Sequence, residues 1–331
     1  MKLSLFVLAG LVSLVFGTAL SGTAGTLADY YLATFPYNGT PTDINDSRQI
    51  VGDTTTGGVD SGFLYVRGQV TLFQFPGAVA TGLNAISNSG EMVGDYPNPA
   101  FLPQIYTPLG FAYSAGGFST IAYPDAWYTV AAGVNSSGEI VGSYQLGSPG
   151  DPTQFGGYAD VNGTFSSIMV PGSAFTEAVG INDSGEIIGI YLDASGDLHG
   201  FLDDAGSYTS MSYPGECWTA LSGINSAGEI LGFYATGCGT GANHYFLWQN
   251  GVFTPISFEG LGPLSASGLN DPGNFVGEGG SGVPFIAIPS SSSSVPEPAT
   301  LGLLALGLAG LGIRRLRNAR PGNQRNLTRP D

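Results

Sequence analysis

A nine-residue motif occurs six times between residues 44 and 277, at nearly regular intervals. Its first copy reads Ile-Asn-Asp-Ser-Arg-Gln-Ile-Val-Gly, and its closing glycine recurs after 42, 48, 47, 43 and 45 residues. The copies are Ile44–Gly52, Ile86–Gly94, Val134–Gly142, Ile181–Gly189, Ile224–Gly232 and Leu269–Gly277. Such a period limits the chain to folds that stack or arrange supersecondary units, because one unit alone cannot bury its apolar face.

Two further motifs also recur six times and complete the repeat unit. One is an aromatic segment of the type Gly-Phe-Leu, and the other is a Phe-x-x-Ile segment that ends in a proline corner. The aromatic segments are Gly62–Leu64, Gly110–Ala112, Gly156–Tyr158, His199–Leu202, His244–Phe246 and Val283–Phe285. The corner segments end at Pro36, Pro76, Pro124, Pro171, Pro214 and, with proline replaced, Glu259.

Each repeat therefore offers four short strands, and the first two are joined by a turn, which reads Asn-Ser-Ser-Gly in the third copy and Asn-Asp-Ser-Gly in the fourth. That turn is typical of a hairpin, because asparagine and glycine tolerate the positive φ that it requires. Four strands in a period of about 45 residues are typical of a β-propeller blade. The sequence predicts an all-β fold, a six-bladed β-propeller over residues 26–289.

The order of the motifs predicts how the propeller closes. The body opens with a corner segment, Tyr30–Pro36, and ends with an aromatic segment, Val283–Ile288. Each terminus therefore contributes half of one repeat. Pairing of the two segments in one blade would complete the sixth blade and leave no open sheet edge, which removes an aggregation hazard.

The repeat resembles the HAF family of probable extracellular repeats, in which Gly-Ile-Asn-x-x-Gly-x-Ile-Val-Gly is followed by an aromatic Gly-Phe-Leu strand. The resemblance spans nearly the whole body. It implies an extracellular location, and it implies no particular reaction.

The N-terminal residues have the pattern of a secretory signal peptide. Lys2 precedes an apolar run, Leu3–Phe16, and small residues follow it. We interpret residues 1–24 as a signal peptide, with cleavage after Ala19 or after Ala24. The alternative is a retained membrane anchor, for which the run is short, since a span needs about 20 residues.

The C-terminal residues carry three elements in a fixed order. A serine linker at 290–294 leads to Val295, Pro296, Glu297 and Pro298. An apolar run, Leu301–Ile313, and a basic cluster follow. The basic residues are Arg314, Arg315 and Arg317.

This arrangement over residues 295–317 resembles the PEP-CTERM sorting signal. The resemblance implies a Gram-negative host, an exosortase-type processing enzyme as partner, and association with exopolysaccharide. The tail, 318–331, is longer than is usual after the basic cluster.

Membrane physics agrees with a transient tether at residues 299–313. As a helix, this segment would be about 22 Å long at ~1.5 Å per residue, shorter than a hydrocarbon core of ~30 Å. The excess of arginine beyond it predicts a cytoplasmic C-terminus. We therefore expect a C-terminal transmembrane helix that is removed when the protein is released, and permanent anchoring is the alternative.

Charge excludes one class of partner. Residues 26–294 contain only Arg48 and Arg67 as basic side chains against 23 acidic ones. Such a body repels phosphate backbones, which excludes nucleic acid as a ligand.

The sequence offers no recognisable catalytic motif. The chain has two histidines, His199 and His244, and both occupy the start of the Gly-Phe-Leu strand. Neither a Gly-x-Ser-x-Gly elbow nor a His-Glu-x-x-His pair is present. We expect no catalytic residues and no cofactor, although paired carboxylates for glycoside hydrolysis remain open, because their separations cannot be read from sequence.

Cys217 and Cys238 are the only cysteines, and in an exported chain they predict a disulfide. The segment Asp193–Asp197 has the acid spacing of a calcium-loop fragment. It lacks the bidentate glutamate of an EF-hand, so we interpret it as a polar hairpin turn and expect no metal.

Aromatic residues give a candidate binding surface. Tyr128, Phe175 and Trp218 each lie seven residues before the repeat asparagine, and Trp127 is adjacent. Blade symmetry would place them on one face, where they could stack on sugar rings. The alternative is burial between blades. We predict an exported, non-catalytic binding or structural protein of the cell envelope or polysaccharide matrix, with a polysaccharide hydrolase or lyase as the alternative.

Overall fold

The computed structural model describes residues 23–24, 30–35, 37–99, 107–148, 155–256, 265–280 and 282–290. The chain divides into two units, Met1–Pro289 and Ser290–Asp331, and the strands of the described residues belong to the first. These strands form six sheets, each built on four antiparallel strands, and one of the sheets gains a short fifth strand at its edge. The fold is an all-β six-bladed β-propeller, as the repeat period predicts.

The strands of the first three blades follow one another along the chain. Blade 1 contains β3 (Thr40–Ile44), β4 (Ile50–Thr56), β5 (Val59–Val66) and β6 (Gln69–Phe73). Blade 2 contains β7 (Gly82–Ile86), β8 (Met92–Pro97), β9 (Pro108–Ser114) and β10 (Gly117–Ile121). Blade 3 contains β11 (Tyr128–Val134), β12 (Glu139–Gln145), β13 (Phe155–Val161) and β14 (Thr164–Ile168).

Blades 4 and 5 likewise use consecutive strands, whereas blade 6 combines strands from both ends of the chain. Blade 4 contains β15 (Phe175–Ile181), β16 (Ile187–Leu192), β17 (Leu198–Asp204) and β18 (Ser207–Met211). Blade 5 contains β19 (Thr219–Ile224), β20 (Ile230–Ala235), β21 (Asn243–Gln249) and β22 (Val252–Pro255). Blade 6 contains β23 (Ser265–Ser267), β24 (Phe275–Glu278), β25 (Pro284–Pro289) and β2 (Tyr30–Thr34).

The closure predicted from the half-repeats is confirmed. β2 pairs with β25 in antiparallel register, with Tyr30 opposite Pro289 and Thr34 opposite Phe285. Phe35 follows β2 and is buried in a cluster with Ile44 and Phe63 of blade 1. The N-terminal strand thus completes blade 6 and also supplies an apolar side chain to its junction with blade 1.

Two local elements were not predicted from the sequence. A two-residue strand, β1 (Thr23–Ala24), pairs in parallel with β22 at the outer edge of blade 5. One helical turn, α1 (Thr236–Gly239), follows β20, and Gly237 and Cys238 within it have φ angles of 61° and 54°. This segment is therefore a tight loop with left-handed residues and not a regular helix.

The core consists of two rings of apolar side chains repeated in every blade. One ring is the aromatic residue of the Gly-Phe-Leu motif, and the other is the aliphatic residue before the closing glycine. The circle of aromatic residues comprises Phe63, Phe111, Tyr158, Phe201, Phe246 and Phe285, and all six are buried. The aliphatic ring comprises Val51, Val93, Val141, Ile188, Leu231 and Val276, which are also buried.

Close packing explains the closing glycine of the motif. At Gly142, a Cβ atom would overlap the Val130 carbonyl oxygen of the paired strand and lie 3.0 Å from the ring of Tyr158. Any side chain there would push the first strand away from the second, because interiors have no spare volume at this density.

The repeat asparagine builds the hairpin between the first two strands. In blade 3, Asn135 accepts a hydrogen bond from the Gly138 backbone N–H, and its side-chain Oδ1 accepts one from the Glu139 N–H at 3.0 Å. Gly138 has a φ of 81°, which glycine adopts without strain. The predicted hairpin and its positive-φ glycine are confirmed, whereas Asn135 contributes hydrogen bonds and does not adopt a positive φ.

Candidate functional site

The hairpins divide the propeller into two unlike ends. The Asn turns join the first and second strands of each blade and lie at one end of the ring, which we call the Asn face. Because neighbouring strands are antiparallel, the second-to-third hairpins and the connections to the next blade lie at the opposite end. We call that end the loop face.

The described residues form a concave surface on the loop face. It is a pocket of about 660 Å³ between blades 6, 1 and 2, within the range of about 300–1,000 Å³ typical of small-molecule sites. Its polar lining includes Asn38, Thr40 and Thr81, together with four carboxylates. The carboxylates are those of Asp53, Asp60, Asp95 and Glu278. We call this pocket the acidic funnel.

Three of these four acids occupy one position of the repeat. Asp53, Asp95 and Glu278 each follow the closing glycine of the motif, in β4, β8 and β24. The other three blades have Ser143, Ile190 and Phe233 there. The sequence analysis missed this set, and comparison of the residue after each closing glycine could have found it.

Asp53 and Asp95 face the same small gap. A Cβ atom on Gly82 would lie 3.5 Å from Asp53 Oδ1 and 3.7 Å from Asp95 Oδ1, so the two oxygens are no more than about 7 Å apart. Burial, followed by the nearby charges of Asp95 and Asp60, raises the pKa of Asp53 to about 6, although the Leu83 backbone N–H donates to Oδ1 at 2.9 Å. Asp53 is therefore partly protonated near neutral pH.

Glu177 is a further acidic side chain on the loop face. Ser143 donates a hydrogen bond of 3.3 Å to Glu177 Oε1, and burial raises the pKa of Glu177. Burial, and then the charge of Glu177, raise the pKa of Tyr128 to about 12. The Tyr128 hydroxyl is thus a neutral hydrogen-bonding group beside a carboxylate.

The predicted aromatic residues lie on the loop face in two separate places. Trp127 and Tyr128 lie 5.9 Å apart by ring centroids, and Phe155, which the sequence analysis missed, lies 5.5 Å from Tyr128 and 4.7 Å from Phe175. These four rings are half-buried. Trp218 is 38% exposed and lies over Gly239 of the α1 loop.

The predicted disulfide is present beside Trp218. Cys217 and Cys238 are bonded at 2.02 Å, with their Cα atoms 5.1 Å apart. The bond ties the α1 loop to the start of β19. It therefore holds the surface on which Trp218 lies.

The two histidines lie at equivalent positions but have different neighbours. His199 pairs with Tyr191 and His244 with Tyr234, in the same register of two successive blades. His199 Nδ1 lies 2.8 Å from Ser212 Oγ, and its Nε2 lies 3.2 Å from Asp193 Oδ2. Neither histidine lines the acidic funnel.

The segment after β16 is a hairpin turn, as predicted. The Asp193 N–H donates to the Asp197 carbonyl at 3.1 Å, and the Gly196 N–H donates to the Asp193 carbonyl at 3.1 Å. A hydrogen bond from the Asp197 N–H, then one from His199, lower the pKa of Asp193.

A narrow channel follows the propeller axis. It has a volume of about 90 Å³ and is lined by the inner strands, including Asp43. Asp43 is enclosed by protein but faces the channel, and it accepts hydrogen bonds from the Ile44 and Ile86 N–H groups at 2.8 and 2.9 Å. Burial raises the pKa of Asp43 to about 7 in spite of these bonds.

The C-terminal sorting elements lie outside the described residues, as does the predicted signal peptide apart from Thr23–Ala24. Of the helices within the described ranges, none is both long and apolar enough to cross a membrane. The PEP-CTERM protein-sorting motif matches residues 294–317. That match confirms the resemblance drawn from the proline, glutamate and arginine residues there.

Comparison with solved structures returns other proteins of similar chain path. AofleA of Arthrobotrys oligospora is 12% identical, with 82% of this chain and 90% of that chain covered and a TM-score of 0.48. A gluconolactonase of Xanthomonas campestris is 12% identical over 80% and 91% of the two chains, with a TM-score of 0.48. The Aleuria aurantia lectin is 13% identical over 82% and 100%, with a TM-score of 0.45.

At these values the likeness assigns neither a ligand nor a reaction to this chain. No curated protein matches it. The PEP-CTERM match covers residues 294–317 and concerns the sorting of the protein.

Proposed function

We propose that this protein is exported, is sorted through its PEP-CTERM motif, and acts as a non-catalytic binding protein of the cell envelope or exopolysaccharide matrix. The acidic funnel is the observation that carries the binding function. It combines the volume of a small-molecule site with carboxylate, amide and hydroxyl groups directed at one space.

The chemistry of the funnel suits a polyhydroxylated ligand. Ionised carboxylates accept strong hydrogen bonds from hydroxyl groups, and threonine and asparagine side chains can both donate and accept. A sugar presents many hydroxyls and no negative charge of its own, so it meets no repulsion from Asp60 or Glu278. The half-buried rings near Tyr128 and the exposed Trp218 offer flat surfaces for the apolar faces of further sugar units.

The terminal segments supply the route to the envelope. In this proposal residues 1–24 are a signal peptide, residues 290–294 are a linker, and residues 299–313 cross the membrane until processing. Arg314, Arg315 and Arg317 hold the far end in the cytoplasm. The processing partner is an exosortase-type enzyme, and the extracellular partner is a polysaccharide.

A glycan array with the purified protein tests the binding function. We expect binding to neutral oligosaccharides, weakened at least tenfold by the double variant Asp60→Asn, Glu278→Gln, because both changes remove funnel charges. Asp204→Asn is the matched control, since it removes an exposed acid near the β17–β18 turn on the Asn face. Equal binding by the double variant would mean that the funnel is not the site.

Asp53 and Asp95 favour a second candidate function, hydrolysis of a polysaccharide. Two carboxyl groups within about 7 Å of each other, one of them with a raised pKa, suit glycoside hydrolysis, which uses carboxyl pairs at separations of about 5 to 9.5 Å. Incubation of a bound polysaccharide with the protein should release no new reducing ends if the function is binding alone. Release that is lost in Asp53→Asn and Asp95→Asn would establish the hydrolase.

A further inference from the structure

The hairpin between β16 and β17 orients a carboxylate toward the strand that follows it. Asp193 Oδ1 accepts hydrogen bonds from the Ser195 and Asp197 N–H groups at 2.8 and 3.0 Å. These two bonds fix the carboxyl group. Its other oxygen, Oδ2, is left to face the ring of His199.

Three side chains converge at this point. One ligand atom each from Asp193, Asp197 and His199 lies within 4.8 Å of the others, and all three residues are half-buried. Two ligand atoms at ~2.0 Å from a tetrahedral metal ion would be about 3.3 Å apart. The distance between Asp193 Oδ2 and His199 Nε2 is 3.2 Å. The spacing therefore already suits a bound ion.

Ser212, which directly follows β18, orients the imidazole. Ser212 Oγ lies 2.8 Å from His199 Nδ1, and it can accept a hydrogen bond from that nitrogen. With the proton on Nδ1, the lone pair of Nε2 faces the two carboxylates. Metal-binding histidines are commonly held in this way by a hydrogen bond to the nitrogen that does not bind the metal.

Among the described residues, no lysine or arginine side chain forms an ion pair with Asp193 or Asp197. Within the described ranges the basic residues are Arg48 and Arg67, and the single ion pair is that of His199 with Asp193. The Asp197 carboxylate has no hydrogen-bond partner among the described residues. Two neighbouring negative charges therefore share one imidazole.

We propose that Asp193, Asp197 and His199 bind one divalent metal ion of the zinc class. One imidazole nitrogen and two carboxylate oxygens suit a first-row transition metal better than calcium, which prefers oxygen ligands alone. Three protein ligands leave one tetrahedral position for water or for an oxygen of a bound ligand. The sequence analysis expected no metal here because the segment lacks the bidentate glutamate of an EF-hand, and it did not bring His199 and Ser212 to the same place, since their contact depends on tertiary structure.

The position of the ion adds a second interaction point to the loop face. Leu198 forms an isolated parallel bridge with Trp218, which places the hairpin beside the exposed indole. The proposal is independent of the acidic funnel, which lies between blades 6, 1 and 2. A negative result for metal binding would therefore not disprove ligand binding in the acidic funnel, and the converse also holds.

Calorimetric titration with Zn²⁺ tests the proposal, using the full chain without a histidine tag, in mild detergent and after chelator treatment. We expect one ion per chain, and at least tenfold weaker binding in Asp197→Asn and in His199→Gln. His244→Gln is the matched control, because His244 occupies the equivalent position one blade later and should leave the zinc affinity unchanged. Titration with Co²⁺ should give the visible absorption of a tetrahedral ion in wild type and in His244→Gln, and should not give it in Asp197→Asn or His199→Gln.

Three results would overturn the assignment. They are no stoichiometric zinc binding by wild type, equal affinity in Asp197→Asn and wild type, and displacement of zinc by equimolar Ca²⁺. The thermal midpoint of each metal-free variant checks that it is folded. Asp197→Asn keeps the test decisive if His199→Gln does not fold, since the Asp197 side chain makes no hydrogen bond within the described structure.

Discussion

Asn270 Nδ2 donates a hydrogen bond of 3.0 Å to the Asn45 carbonyl oxygen, and so joins the last blade to the first across 225 residues of sequence. The same bond links blades 1 and 2, 3 and 4, 4 and 5, and 5 and 6. The donors are Asn45, Asn135, Asn182 and Asn225, at 3.0 to 3.3 Å from their carbonyl acceptors. In five of the six blades, one residue of the hairpin turn therefore also holds the ring of blades together.

Loss of one such bond should destabilise the whole ring. We expect Asn270→Ala to lower the free energy of unfolding by about 1–3 kcal/mol, because it removes the hydrogen bond between the blades and the Oδ1 acceptor of the buried Asn274 N–H. Urea denaturation measures the change. Ser87→Ala, which alters the equivalent turn in blade 2 where serine replaces asparagine, should cost less. An equal or larger cost for Ser87→Ala would contradict the role of the asparagine ring.

Removal of β2 should open the propeller. A chain that begins after residue 36 lacks the partner of β25 and the buried Phe35, which packs 4.8 Å from Tyr65 by ring centroids. The exposed strand edge should cause aggregation, because unpaired backbone groups pair with other chains. Light scattering and size-exclusion chromatography measure it. A soluble, equally stable truncated protein would disprove the closure.

Reduction of the disulfide should loosen the Trp218 region and lower stability. The bond closes a loop with a sequence separation of 21, for which chain entropy predicts about 3 kcal/mol. Thermal unfolding with and without reductant measures the loss, and the variant Cys217→Ser, Cys238→Ser should match the reduced protein. Mass spectrometry of non-reduced peptides from the exported protein should show the cross-link. Two free thiols would refute it.

Stability should fall as the pH rises from about 4 to 7. The pKa of Asp43 is raised to about 7 in the folded protein, whereas an unfolded aspartate has a pKa of about 3.9. In this window the folded state binds more protons than the unfolded state, so the free energy of unfolding decreases with pH. Asp53, with a pKa of about 6, contributes in the same direction.

The thermal midpoint should therefore be several degrees lower at pH 8 than at pH 5. Asp43→Asn should flatten this dependence, because it removes the group that titrates in the channel. Asp204→Asn should leave the slope unchanged. A midpoint that rises between pH 5 and pH 8 in wild type would contradict the burial of these carboxyl groups.

Processing at the sorting motif should remove the C-terminal segment. We expect mature protein from the native host to end near Val295–Pro298, since the apolar run is too short for a comfortable permanent span. C-terminal sequencing decides this. Recovery of Arg314–Arg317 on most surface-exposed molecules would instead indicate a permanent anchor.

The sequence alone determined the number of blades, the strands within each repeat, the turn that joins the first two strands, and the pairing of the two ends. These features depend on local pattern and period, because a hairpin and a buried ring of phenylalanines impose the same residues at the same place in every copy. The disulfide could also be predicted from the sequence, because the chain has only two cysteines.

Only the tertiary structure decided the sites. Asp53, Asp95 and Glu278 meet because blades 6, 1 and 2 are neighbours in the ring, although up to 225 residues separate them in sequence. Phe155 joins Tyr128 to Phe175, and Ser212 orients His199, through packing between strands whose side-chain directions no period reveals. A repeat pattern describes what the blades share, whereas each site consists of residues in which individual blades differ.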